Sequence, residues 1–118
     1  MLTASQVLAG LVAALHLYFL VLEMFLWATP YGQKTFKRSA AEQESTKILA
    51  ANQGLYNGFL AAGLVWSIST GDLAVRAFFL GCVVIAGLYG AATAARSILF
   101  AQAIPGAAAL VVTLLARP

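Results

Sequence analysis

At 118 residues, 62% hydrophobic and 9% charged, the chain has too few charges to clothe a soluble fold, in which about a quarter of residues are charged. Its net charge of +3 comes from seven basic and four acidic residues, with most cations in one segment and no basic and aromatic interleaving on a polar surface, which argues against nucleic acid as a partner. The length supplies about four helices of ~20 residues. The prediction is therefore an all-α, four-transmembrane-helix bundle, residues 1–118 forming one integral membrane domain with the lipid bilayer as its surroundings.

The first span is predicted over residues 5–28. Met1-Leu2-Thr3-Ala4-Ser5 carries no basic stretch and the apolar run behind it is longer than a signal core, so it reads as a retained span. Glu23 interrupts that run. A carboxylate near the centre of a membrane helix costs about 2.5–3.5 kcal/mol on insertion, so it requires a partner or a task. His16, seven residues earlier, returns to nearly the same helix face, about 10 Å away along the axis. Thr29-Pro30-Tyr31-Gly32 then reads as a stop and turn.

The link to Lys47 is the one long polar stretch. Within it Ser39-Ala40-Ala41-Glu42 fits a capping box, which predicts helix from Ala40 onward into a second span over 48–69. That span holds Asn52-Gln53-Gly54-Leu55-Tyr56-Asn57-Gly58, in which Asn52 and Tyr56, and Gln53 and Asn57, are four apart and so share one helix side. Matching Ala28 with Lys47 as the two ends of a hairpin sets Glu23 level with Asn52 and His16 level with Phe59. Gly54 and Gly58 form a GxxxG pair that permits close backbone approach.

Thr70-Gly71-Asp72 makes a very tight link, with Gly71 suited to a helix C-terminus and Asp72 to the next N-cap. The third span is predicted over 73–95, with Tyr89, Thr93 and Arg96 on one face and Cys82, Ala86, Gly90 and Ala94 as a line of small residues. Cys82, the single cysteine, reads as a packing residue. The fourth span is predicted over 97–116, kinked at Pro105, with Gln102 near its start. A homo-oligomer is compatible with the small-residue lines, which do not require one.

Four spans put both termini on one side. Lys34, Lys37, Arg38, Lys47 and Arg96 fall on the other, against Arg76 and Arg117, so the positive-inside rule places the long link in the cytoplasm and the termini outside. Trp27, Tyr31, Phe36 and Trp66 fit interfacial anchoring. His16, Glu23, Asn52, Gln53, Tyr56, Asn57, Tyr89, Arg96 and Gln102 are the candidates for a shared polar pocket, with structural hydrogen bonding between helices as the alternative for the amides, Tyr89, Glu23 and His16. Arg96 reads either as a topology charge or as a salt-bridge partner of Glu23.

The segments His16 to Trp27 (HLYFLVLEMFLW) and Leu49 to Leu64 (LAANQGLYNGFLAAGL), with the TPxG turn at Thr29 to Gly32, resemble the small bacterial integral membrane proteins of domain of unknown function 1304. The resemblance runs over essentially the whole chain. It implies four spans in the bacterial inner membrane and no established activity, and it transfers no catalytic residue.

Two functions fit these residues. In one, Glu23 is the charge partner or proton-coupled carboxylate of a site that binds or transports a small amphipathic or cationic molecule. In the other, Glu23 and His16 are acid and base of a membrane-embedded, isomerase-like enzyme acting on a lipid or isoprenoid. A purely structural role is the third reading, and the residues leave open whether the protein is an enzyme. One histidine with one glutamate is too thin for a metal site, and no phosphate-loop, nucleophile or haem signature occurs, so no cofactor is expected.

Overall fold

The computed structural model describes residues 1–117, and the described residues contain helices and no strand. In chain order these are α1 (Leu2–Met24), α2 (Pro30–Phe36), α3 (Ala40–Thr70), α4 (Leu73–Thr93) and α5 (Ile104–Ala116), with a π-helical turn at Leu99–Ala103 leading into α5. Three segments are long and apolar enough to cross a membrane: Leu2–Met24, Leu73–Thr93 and Leu99–Ala116. At 31 residues α3 exceeds all of them in length. Among its residues, the amides Asn52, Gln53 and Asn57 keep the hydropathy of its apolar part down.

The helix boundaries follow local chemistry. Pro30 disfavours helical backbone at the residue before it, and Thr29 is extended (φ −79°, ψ 165°). The first helix already ends at Met24, short of the expected Ala28, and Leu26 N–H donates to Val21 O in a widened last turn. Thr29 in turn caps a new helix: its hydroxyl accepts from Gly32 N–H, with Pro30 in the first turn. The sequence expected to act as a turn thus starts α2. Ser39 and Glu42 form the expected capping box, Ser39 N–H donating to Glu42 Oε1 and Glu42 N–H to Ser39 Oγ, and α3 begins at Ala40.

The two-residue link to α4, Gly71-Asp72, has the expected form. Gly71 adopts φ +71°, a left-handed conformation costly for other residues, and the Asp72 carboxylate accepts from Val75 N–H. Before α5 the chain is helical from Ser97, as expected. Pro105 lacks an N–H and its ring crowds the preceding turn. The π turn widens the helix there, with Ile104 N–H reaching back to Leu99 O.

The chain divides into two units, Leu15–Phe59 and the remainder, Met1–Ala14 with Leu60 onward. In the latter, Ala9, Val12, Ala13, Ala61, Leu64, Leu80, Val83 and Ala109 form a core, with Phe79 and Ile68 packed against it. Gly87 lies against the π turn so closely that a Cβ there would meet the Ala103 backbone nitrogen at 2.6 Å. From the expected line of small residues, Gly90 faces Ile98, whereas Ala86 and Ala94 are exposed and Cys82 is half-buried. The closest approach thus falls one residue from that line, at Gly87. In the Leu15–Phe59 unit α3 packs on α1 through Gly54 and Gly58. A Cβ at Gly54 would meet Met24 Cγ at 2.7 Å and Glu23 Cβ at 3.0 Å, and one at Gly58 would meet Leu20 Cδ1 at 2.7 Å.

Candidate functional site

Within the Leu15–Phe59 unit, Glu23 and Asn57 are both buried, each 8% exposed. The Asn57 Nδ2 donates to Glu23 Oε1. This contact exists because Gly54 and Gly58, one turn apart, bring the α3 backbone against Leu20, Glu23 and Met24, which turns Asn57 toward the carboxylate. The hairpin register expected from the sequence placed Asn52 there instead. A symmetric hairpin from Ala28 and Lys47 does not form, because α1 ends at Met24, α2 occupies the link, and α3 starts seven residues before Lys47. Glu23 therefore meets an amide, as anticipated, five residues further along α3.

The displaced register leaves Asn52, Gln53 and Tyr56 exposed. His16 is fully buried, and its ring meets Phe19 edge-on at 5.3 Å between centroids. It lies seven residues before Glu23 on the same helix. In the other unit, Tyr89 and Arg96 are exposed and Gln102 is half-buried in the π turn. Thr93 Oγ1 donates to Tyr89 O one turn back within the helix.

A second knot of buried polar atoms was not anticipated. Arg76 is 1% exposed. Its Nη1 donates to Ser5 Oγ at 2.9 Å, its Nη2 to Ser67 O at 3.2 Å and its Nε to Ser67 Oγ at 3.4 Å, while Ser5 Oγ and Thr113 Oγ1 share a 2.6 Å bond. One side chain from each of α1, α3, α4 and α5 thus meets at this point, and among the described residues Arg76's hydrogen-bond partners are neutral. In the charge count Arg76 is only a basic residue on the side of the termini. The signal that marks it is its phase: Arg76, Leu80, Val83 and Gly87 are the buried positions of α4, spaced four, three and four apart.

The end of α1 and the start of α3 are joined by further buried groups. Gln43, fully buried, donates from Nε2 to Trp27 O at 2.9 Å and Gly32 O at 3.4 Å, and its Oε1 has no hydrogen-bond partner among the described residues. Trp27 Nε1 donates to Thr46 Oγ1 at 3.0 Å, and the Trp27 ring lies 4.5 Å from that of Phe36. The Tyr18 and Tyr31 hydroxyls are 2.6 Å apart. Among the described residues, no three His, Cys, Asp or Glu side chains gather in a metal-binding group.

An all-helical chain with three helices apolar enough to cross a bilayer, and with its ionisable groups Glu23 and Arg76 buried against amide and hydroxyl partners, is compatible with a membrane protein. The family described as protein of unknown function DUF1304 matches residues 10–114, and the chain belongs to it. It is similar to the uncharacterized protein YpaA of Lactococcus lactis subsp. lactis (strain IL1403), 30% identical over 100 residues, which cover 81% of this chain and 84% of that protein. No solved structure matches the chain.

Proposed function

We propose that this is a multi-pass protein of the bacterial cell membrane, with α3 as a fourth span and both termini on the non-cytoplasmic side, and that Glu23 and Asn57 form the centre of a site that binds or transports a small amphipathic or cationic molecule. The observation that carries this reading is a buried carboxylate held by a neutral amide. Asn57 supplies a hydrogen bond but no charge, so a proton or a cation must supply the counter-charge when the group is shielded from water. The two compete for one carboxylate, which is the chemistry of a proton-coupled or pH-sensitive cation site.

Two features support α3 as a span. Its 31 residues give about 46 Å of helix, more than the ~30 Å hydrocarbon core requires. Asn57, one of the amides that lower its hydropathy, is turned toward Glu23 and away from the surroundings. The meeting of Ser5, Ser67, Arg76 and Thr113 supports the topology. These lie near the start of α1, the end of α3, the start of α4 and the end of α5, as alternating up and down helices require.

The test uses a lipophilic cation, tetraphenylphosphonium, and the protein in lipid nanodiscs. Wild-type protein is expected to bind it, with affinity falling as pH is lowered, and Glu23→Gln is expected to fold normally and lose about tenfold or more in affinity. Equal binding by the two proteins would contradict the reading.

A further inference from the structure

We infer that α2 and the residues just after it form a docking surface for the headgroups of anionic lipids, with Lys34, Lys37 and Arg38 as the contacting cations. The inference rests on the membrane reading but not on the role given to Glu23.

The first observation is where α2 lies. The hydroxyl of Tyr31, in its first turn, meets that of Tyr18, which sits six residues, or about 9 Å, before the end of α1. The start of α2 is therefore folded back beside the last turns of an apolar helix and does not project into water. Tyr31 and Phe25 are 51% and 68% exposed, aromatic surface of the kind suited to the boundary between acyl chains and headgroups.

The second observation is that α2 is fixed there. Thr29 caps it, and Gly32 is pressed on the end of α1 so that a Cβ would lie 2.2 Å from both Leu26 O and Trp27 O. Gln43 then bonds Trp27 O and Gly32 O from α3. A seven-residue helix has little stability of its own, so these contacts hold it.

The third observation is charge. Lys34, Lys37 and Arg38 are exposed, and none has a carboxylate within salt-bridge distance among the described residues, whereas Lys47 is engaged by Glu44. Lys37 ends α2 in the left-handed region at φ +54°, and its N–H and that of Arg38 both return to Gln33 O, so the turn that bears the last two cations is closed by backbone bonds. Three cations outside salt-bridge distance of any described carboxylate, of which Arg38 also acts at longer range on Glu42, are complementary on this platform to a phosphodiester that lacks a compensating amine, as in phosphatidylglycerol. A zwitterionic headgroup offers no such net attraction.

The test is a competition between phosphatidylglycerol and phosphatidylcholine for the detergent-purified full chain, read by native mass spectrometry as the ratio of bound lipids. Insertion is already complete in this assay, so cations that serve only to orient the chain would give no preference. The wild type is expected to favour phosphatidylglycerol, and neutralising each cation should lower the ratio about fivefold. Lys34→Gln, Lys37→Gln and Arg38→Gln together should abolish the preference, while Lys47→Gln should leave it within about twofold. Should the triple variant fail to fold, salt provides the same test on unmodified protein: the preference should fade as ionic strength rises and the Debye length shortens. Glu23→Gln should keep the preference. Equal binding of both lipids, a salt-insensitive ratio, or an undiminished ratio in a folded triple variant would overturn the proposal, as would loss of the preference in Glu23→Gln.

Discussion

Asn57 donates its side-chain amide to the Glu23 carboxylate, joining two residues 34 positions apart on α3 and α1. Asn57→Ala removes that donor and leaves a buried acceptor behind. A loss of about 1–2 kcal/mol is expected, the range for interhelical polar contacts in membrane bundles, measured by unfolding the purified protein in mixed micelles. Asn57→Asp should be worse than Asn57→Ala, because it sets a second carboxylate against the first.

The Glu23 contact depends on close helix approach. Gly54→Ala would press a Cβ to 2.7 Å from Met24 Cγ and 3.2 Å from Leu20 O, and is expected to destabilise by about 1–3 kcal/mol. Gly10→Ala is the matched control. Nothing lies within 4 Å of a Cβ there, so this variant should unfold no earlier than wild type.

Arg76 holds groups on α1 and α3 with different arms of its guanidinium. Lysine keeps the charge but offers one compact ammonium, which cannot reproduce bonds to Ser5 Oγ, Ser67 O and Ser67 Oγ together. Arg76→Lys should therefore destabilise by about 1–3 kcal/mol despite conserving charge. Ser5→Ala should cost less, and in the Arg76→Lys background its effect should shrink, as a double-mutant cycle would detect.

The helix pattern was legible because it is local. Thr70-Gly71-Asp72, the Ser39 and Glu42 capping box and the Pro105 distortion each declare themselves within a few residues. Glu23 and its need for an amide were legible too, since few residues can relieve a buried carboxylate. The register was not, because it depends on where α1 stops and on α2 filling the link, and the TPxG segment that starts α2 reads equally well as a turn. Arg76 illustrates a different obstacle. Its charge matches the topology rule, which conceals that it falls in phase with Leu80, Val83 and Gly87. Ser5, Ser67 and Thr113 likewise continue the buried stripes of their own helices, and the meeting of the four emerges only in three dimensions.

The start of α3 should be acid-sensitive. Glu42 accepts a bond from Ser39 N–H, and with the Ser39 hydroxyl and the nearby Arg38 charge this holds its carboxyl below the ordinary value of 4.5. Because the folded value lies below the unfolded one, the cap's contribution is fully present above that ordinary value and disappears as pH falls through the folded value. Amide exchange at Ser39, measured relative to Glu42→Gln, should accelerate in that acid window and match the variant's pH trend above it.

The central claim, that Glu23 exchanges a proton for a cation, is tested most directly by counting protons. Tetraphenylphosphonium is added to weakly buffered nanodiscs carrying the protein, and the pH change is followed with an indicator dye. The account predicts proton release on binding to wild type at the acid end of the binding range, declining as pH rises, and none from Glu23→Gln. Binding to wild type with no proton release at any pH, or equal release from Glu23→Gln, would contradict it.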